Sequence, residues 1–406
     1  MKIKPPYYPI IYVRGFAATR SEIEATVATP YMGFNLGATK IRQNHEGKIL
    51  RWIFQSPLIR LMDDEGYRDA YRAGGSLIEA DHTTESVPDD GELADPRTVW
   101  IFRYYDQASE TLGTGEREPI EKFAADLRKF ILDIRRKTCG DQKELLDAFK
   151  VHLVAHSMGG LICRSYLQRI CRHGTGDRKR DKALELDTRP ADPLVDKVFT
   201  YATPHNGIDF TGLNVPDLGP LSVFHTRNFN RDVMAKYLGI TGDSDNVNTL
   251  DGAFPPDRFF CLVGTNYEDY EAFYGLSKRA TGPMSDGLVM IENATVRDAP
   301  RAFVHRSHSG DYGVVNSEEG YQNLRRFLFG DVRVDALLEV GELTLPKALQ
   351  KIRDEDAGKP KRKRRTIRGS YHIDTSARVR GAGYYLHERR ADQASALFME
   401  YDDLVK

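Results

Sequence analysis

An α/β fold with a mostly parallel central sheet is what this 406-residue sequence predicts, on three observations. Short, predominantly apolar runs recur along the chain, as strands buried on both faces require. Amphipathic segments of helical period fall between them. One stretch, Lys150 to Tyr166, passes from an apolar run through small residues into a helical pattern with room only for a tight turn.

The apolar runs are Ile10 to Val13, Val99 to Tyr104, Lys150 to Ala155, Val195 to Tyr201, Phe259 to Val263 and Ala302 to Val304. The clearest helix is Glu121 to Arg136, where Phe123, Leu127, Phe130, Ile131 and Ile134 recur at three- and four-residue steps and form one stripe. A further helix, Glu318 to Leu328, closes the sheet. Two segments interrupt the alternation, about 18–97 and 207–257, and are expected to be cap or lid insertions rather than core. Residues 1–330 thus read as one large domain. Residues 331–406 read as a small β-rich appendage, from the alternating runs Val332 to Leu338 and Ala377 to Leu386, split by the basic loop Lys359 to Arg365.

Composition narrows the class. A formal net charge of −1 gives no global field toward nucleic acid, so no nucleic-acid partner is expected. The four cysteines are widely spaced with no CxxC pair, which favours free thiols over a disulfide framework. Neither metal-ligand spacing nor a glycine-rich phosphate loop is present, so no metal and no cofactor are expected. No run approaches the roughly 20 apolar residues of a spanning helix, and the N-terminus lacks the features of a secretory signal. A cytoplasmic location follows as the expectation, with secretion by a leaderless route left open.

The chemistry centres on Ala155-His156-Ser157-Met158-Gly159-Gly160. A serine in a strand-to-helix turn is lifted clear of the sheet, and the residues two before and two after it must be small because they crowd together. Ala155 and Gly159 meet that need. The next backbone N–H, that of Met158, opens the helix and points where an oxyanion would form.

This motif resembles the nucleophile elbow of the α/β-hydrolase superfamily, in its lipase-like branch with alanine at the first small position. The resemblance covers about Pro9 to Phe329 and implies an α/β-hydrolase fold with Ser157 as nucleophile. In that superfamily the first strand ends in a His-Gly pair whose following residue supplies the second oxyanion N–H. Here Arg14-Gly15-Phe16 occupies the place, so the role passes to the Phe16 backbone while the histidine is replaced by Arg14. Ser-Asp-Gly at 285–287 is similar to the acid-bearing loop of lipases and makes Asp286 the acid, with Asp269 and Asp311 as competitors. The stretch from Ala302 onward resembles the lipase histidine loop and final helix, with His308 preferred over His305 as base. His205, in Ala202 to Gly207, precedes the acid and is expected to order its loop.

The implied activity is hydrolysis of carboxylic esters of lipid-like substrates through an acyl-enzyme on Ser157. Phe210, Leu213, Leu221 and Phe224 are the expected acyl-binding residues, in an apolar segment that also holds Val215, Leu218 and Val223. The expected partner is a lipid or other acyl ester, with peripheral contact to a lipid surface compatible with it. A catalytically idle interaction protein, an acyltransferase and a thioesterase are the alternatives on the same scaffold.

Overall fold

The computed structural model describes residues 2–15, 17, 20–43, 47–70, 93–115, 118–187, 191–208, 229–241, 246–270, 284–337, 339, 341, 344–371, 375–389 and 397–400. In chain order the strands are β1 (Ile10–Val13), β2 (Ala38–Gln43), β3 (Ile49–Phe54), β4 (Arg68–Asp69), β5 (Thr98–Ile101), β6 (Val151–His156), β7 (Val195–Tyr201), β8 (Phe259–Gly264) and β9 (Arg301–Val304). Seven of them form one sheet in the order β4-β5-β1-β6-β7-β8-β9, every pair parallel. The apolar runs are therefore explained: β1 and β5 are buried at every position because both faces of the sheet are covered. With β6 ending in a strained serine turn that opens a helix, this is the α/β-hydrolase fold, argued from its own topology.

Strand order places the working end of the sheet. From β1 the chain moves outward to β5 on one side, then returns to β6 on the other. The crevice outside the carboxyl ends of β1 and β6 is the point where strand order reverses, the usual ligand position in open α/β sheets. The segments beyond those two ends are Arg14-Gly15-Phe16 and Ser157.

Among the described residues the α-helices of eight residues or more are α1 (Arg20–Val27), α2 (Pro57–Glu65), α3 (Ile120–Cys139), α4 (Met158–Ser165), α5 (Arg231–Leu238) and α6 (Glu318–Phe329), with α7 (Lys347–Asp356) in the tail. The expected stripe of α3 is buried, with Phe130 edge-on to Trp100 of β5 at 6.2 Å. Ser317 caps α6, its hydroxyl accepting from the Gly320 N–H at 3.0 Å.

The insertion boundaries need amendment. Within 18–97, β4 is an edge strand of the main sheet, and α2 buries Leu58 and Leu61 in the same core. A two-residue Arg-Asp strand at a sheet edge carries no apolar run, which is why the pattern did not disclose it. Within 207–257, α5 buries Met234, Tyr237 and Leu238, and the Tyr237 carbonyl accepts from the Ser165 hydroxyl at 2.7 Å. That helix is packed onto the back of α4.

The tail does contain strands: β10 (Arg368–Tyr371) pairs with β13 (Leu397–Glu400), and β11 (Thr375–Ala377) pairs with β12 (His387–Arg389). Two readings are corrected. Residues 332–337 lie in no helix or strand, with Val332, Val334 and Leu337 exposed. Of Ala377 to Leu386 only Ala377 is in a strand, because Gly381, at φ 81°, turns the chain between β11 and β12. The helix α7 was not expected at all. The tail lies against the sheet edge: the Phe303 N–H of β9 donates to His387 Nδ1 at 3.3 Å, and Asn323 of α6 donates to the Leu386 carbonyl at 2.8 Å.

Candidate active site

Ser157 stands between β6 and α4 with φ 52° and ψ −127°, a backbone conformation that non-glycine residues rarely adopt. Its surroundings hold it there. The Ser157 N–H donates to the Tyr201 carbonyl at 2.9 Å, and the Thr203 hydroxyl donates to the Ser157 carbonyl at 2.8 Å. A Cβ on Gly159 would stand 2.3 Å from the Val13 carbonyl oxygen, and one on Gly15 would stand 2.6 Å from Ser157 Cβ. Both glycines are there because the backbone and the serine turn meet too closely for any side chain.

A line of hydrogen bonds runs from the serine to a carboxylate. Ser157 Oγ is 3.0 Å from His308 Nε2, and His308 Nδ1 is 2.9 Å from Asp286 Oδ2. All three side chains are buried. The acid is itself fixed: Asp286 Oδ1 accepts from the Leu288 and Val289 N–H groups at 3.0 and 2.8 Å, which leaves Oδ2 to the histidine. The Asp286 carbonyl also accepts from the His308 N–H at 2.9 Å, so acid and histidine are joined by backbone as well as side chain.

The loop that carries His308 begins just past β9. Arg306 forms a bidentate pair with Glu319 of α6, at 2.8 to 3.1 Å, and Ser307 bridges to Gly313 to close the loop on itself. His305 sits directly after β9, while the bonds to Ser157 and Asp286 are made by His308. The competing carboxylates are elsewhere. Asp269 accepts from the Asn266 side chain at 2.6 Å, and Asp311 pairs with Lys40 at 2.7 Å. His205 is fully buried with Nε2 at 3.1 Å from the Thr200 hydroxyl; burial and the nearby Arg164 hold its pKa well below the usual imidazole range.

As the first residue of α4, Met158 has a backbone N–H with no intrahelical acceptor. Phe16, the second expected oxyanion donor, lies outside the described residues, as do Phe210, Leu213, Leu221 and Phe224. The residues on either side of Phe16 are tied down. Tyr104 donates its hydroxyl to the Arg14 carbonyl at 2.8 Å, and Tyr105 accepts from the Ala17 N–H at 2.7 Å. Arg14 turns away to bond the Met32 carbonyl, and Gly33, at φ 85°, leaves the room its guanidinium occupies.

Several supporting residues escaped sequence reasoning. His156 Nε2 is 2.9 Å from the His308 carbonyl oxygen. Thr203 lies at the end of β7, next to the serine strand, and only that adjacency would have flagged it. Arg164 is fully buried, pairs with no carboxylate among the described residues, and donates to the His205, Val247 and Thr249 carbonyls at 2.6 to 2.8 Å. Burial pushes its pKa down to about 10. Among the described residues no cluster of His, Cys, Asp or Glu could hold a metal ion, and no helix is long and apolar enough to cross a membrane.

No protein-family model matches the sequence, and no curated protein matches it. Solved structures similar to this chain include a lipase of Bacillus licheniformis, at 14% identity and TM-score 0.40, covering 80% of this chain and 94% of that one. Phospholipase PlaB of Legionella pneumophila matches at 13% identity and TM-score 0.42, covering 79% of this chain and 60% of that one. A metagenomic carboxyl esterase matches at 12% identity and TM-score 0.34, covering 81% and 75%.

Proposed function

We propose that this α/β-hydrolase scaffold carries a serine hydrolase that cleaves carboxylic esters of lipid-like substrates through an acyl-enzyme on Ser157. The observation that carries the reading is the continuous line Ser157 Oγ, His308 Nε2, His308 Nδ1, Asp286 Oδ2, with successive distances of 3.0 and 2.9 Å, at the switch point of a parallel sheet. A serine hydroxyl is a weak nucleophile alone. It becomes effective when a neighbouring base removes its proton during attack.

In the proposed reaction Ser157 Oγ attacks the ester carbonyl carbon while its proton passes to His308 Nε2. Asp286 fixes the imidazole in the tautomer with Nδ1 protonated and steadies the cation that forms. Negative charge gathers on the former carbonyl oxygen and is met by the backbone N–H groups of Met158 and Phe16. His308 then protonates the leaving alcohol, and the acyl group remains on Ser157. Water attacks that ester as His308 Nε2 takes its proton, and the acyl–oxygen bond then breaks as the same proton passes to Ser157 Oγ, which releases the acid and restores the hydroxyl.

A lipid-like acyl chain is supported by the sequence between 209 and 228, where Phe210, Leu213, Leu221 and Phe224 supply apolar surface. Every proposed reacting group lies within residues 1–330, so 331–406 is assigned to an appendage outside the chemistry. The test is labelling with a fluorophosphonate probe and release of acid from a short soluble ester. Both should be lost in Ser157→Ala; a folded Ser157→Ala protein that keeps half the activity overturns the proposal.

A further inference from the structure

The hairpin β2–β3 forms its own two-stranded sheet and sits on the loop that carries His308. Its two faces differ. Side chains alternate along a strand, so Ala38, Lys40, Trp52 and Phe54 share one face. On that face Ala38 and Phe54 are buried, Trp52 stands edge-on to Tyr312 at 5.0 Å, and Lys40 pairs with Asp311 at 2.7 Å. Tyr312 and Asp311 belong to the His308 loop, so the inner face is occupied.

The other face carries the cross-strand pairs Thr39 with Ile53, Ile41 with Arg51 and Gln43 with Ile49. A sheet with one face on the protein normally turns polar residues outward. Here Ile41, Ile49 and Ile53 are 63%, 53% and 72% exposed. Single exposed apolar residues are ordinary, but three on one ladder face are neighbours within reach of one another.

We infer that this face is a docking surface for an anionic lipid layer, which presents the protein beside its substrate; the inference rests on the lipid-ester reading above. Charge selects the occupant. Lys40 is held on the inner face by Asp311, while Lys48, next to Ile49 in sequence, and Arg51 are exposed, against the single acid Glu46 between residues 38 and 54. Arg51 stands directly across the ladder from Ile41 on the exposed face. Isoleucines that leave water for the acyl boundary, beside guanidinium and ammonium groups that meet lipid phosphates, are a combination suited to an interface. A hairpin set on the His308 loop would also bring that surface next to the chemistry.

The experiment uses the full chain and vesicles of ether-linked phosphatidylcholine, with and without ether-linked phosphatidylglycerol, so that bound lipid is not consumed. The wild type and Ser157→Ala should both float with the anionic vesicles. Ile41→Ser/Ile53→Ser should bind them about tenfold or more weakly, with unchanged turnover of a short soluble ester and an unchanged melting temperature. Ile49→Ser alone should act in the same direction, and Arg51→Gln should weaken the preference for anionic over neutral vesicles by about fivefold. Undiminished vesicle binding by the double variant overturns the inference, as does a wild type that ignores anionic vesicles. A concentration-dependent dimer dissolved by the same substitutions would assign the face to a second copy and also overturn it. Loss of the function proposal is read separately, from soluble-ester turnover in Ser157→Ala.

Discussion

His156 Nε2 lies 2.9 Å from the backbone carbonyl oxygen of His308, so the residue before the serine holds the residue proposed to activate it. A carbonyl can only accept, so Nε2 carries the proton and His156 is a neutral donor. Burial, reinforced by the nearby His308 and Arg14, pushes its pKa down to about 3, which keeps it neutral at physiological pH. Removing this bond should let the His308 loop shift. His156→Ala is expected to lower kcat on the order of 10²-fold with a much smaller change in KM, since small misplacements of a reacting group are costly. His156→Gln, which can still donate, should recover part of the rate; equal loss in both variants would reject the positioning role.

Asp286→Asn should lower kcat on the order of 10⁴-fold, because the amide favours the wrong imidazole tautomer. Steady-state kinetics on a soluble ester measure it. A mild effect would return the role to Asp269 or Asp311.

His308→Ala should approach the inactivity of Ser157→Ala, while His305→Ala should keep substantial turnover, because only His308 is bonded to both Ser157 and Asp286. The reverse pattern in two folded variants would transfer the base to His305.

Ser157→Gly should be inactive and yet more stable than the wild type by about 1 kcal/mol, because glycine adopts a positive φ without the steric cost that serine bears at 52°. Urea midpoints compared between the two proteins test this. A less stable glycine variant would mean that the turn stores no strain.

Acid should destabilise the protein through its buried histidines. Burial lowers His152 from the ordinary 6.5 to about 4 and His156 to about 3, and it also holds His205 well below the ordinary imidazole range. Asp196, 3.8 Å from His152 Nδ1, pulls upward without offsetting that burial. The unfolded chain therefore takes up these protons first, near 6.5, and stability falls as pH drops below that value. Each histidine contributes a slope approaching about 1.4 kcal/mol per pH unit until its folded form titrates. Denaturation midpoints between pH 7 and about 4 should show the slope, and His152→Gln should flatten it.

Much of this architecture is legible from residue order because a parallel sheet covered on both faces leaves little choice. Ile10 to Val13, and Val198 and Phe199 within Val195 to Tyr201, are apolar for that reason, and the bounds of both runs match the strands observed. Edge strand β4 is invisible because an Arg-Asp pair at a sheet margin needs no apolar side chain. The helix α7 buries only Asp356, so it shows no apolar stripe. In the site, Ser157 announces itself through the small residues its turn demands. His156 and Thr203 do not, because their parts depend on which strands become neighbours, a relation that local spacing does not encode.

Ser157 and His308 are 151 residues apart, and the strands leading to Asp286 and His308, β8 and β9, are the last to enter the sheet in chain order. During synthesis the serine turn emerges long before its proton acceptor exists. A chain still held on the ribosome short of residue 308 has the serine proposed as nucleophile without the histidine proposed to activate it, and contacts this distant in sequence close slowly. On the proposed reading, strand order therefore delays the onset of chemistry until translation is well advanced, and premature termination yields an inert product instead of an unregulated hydrolase.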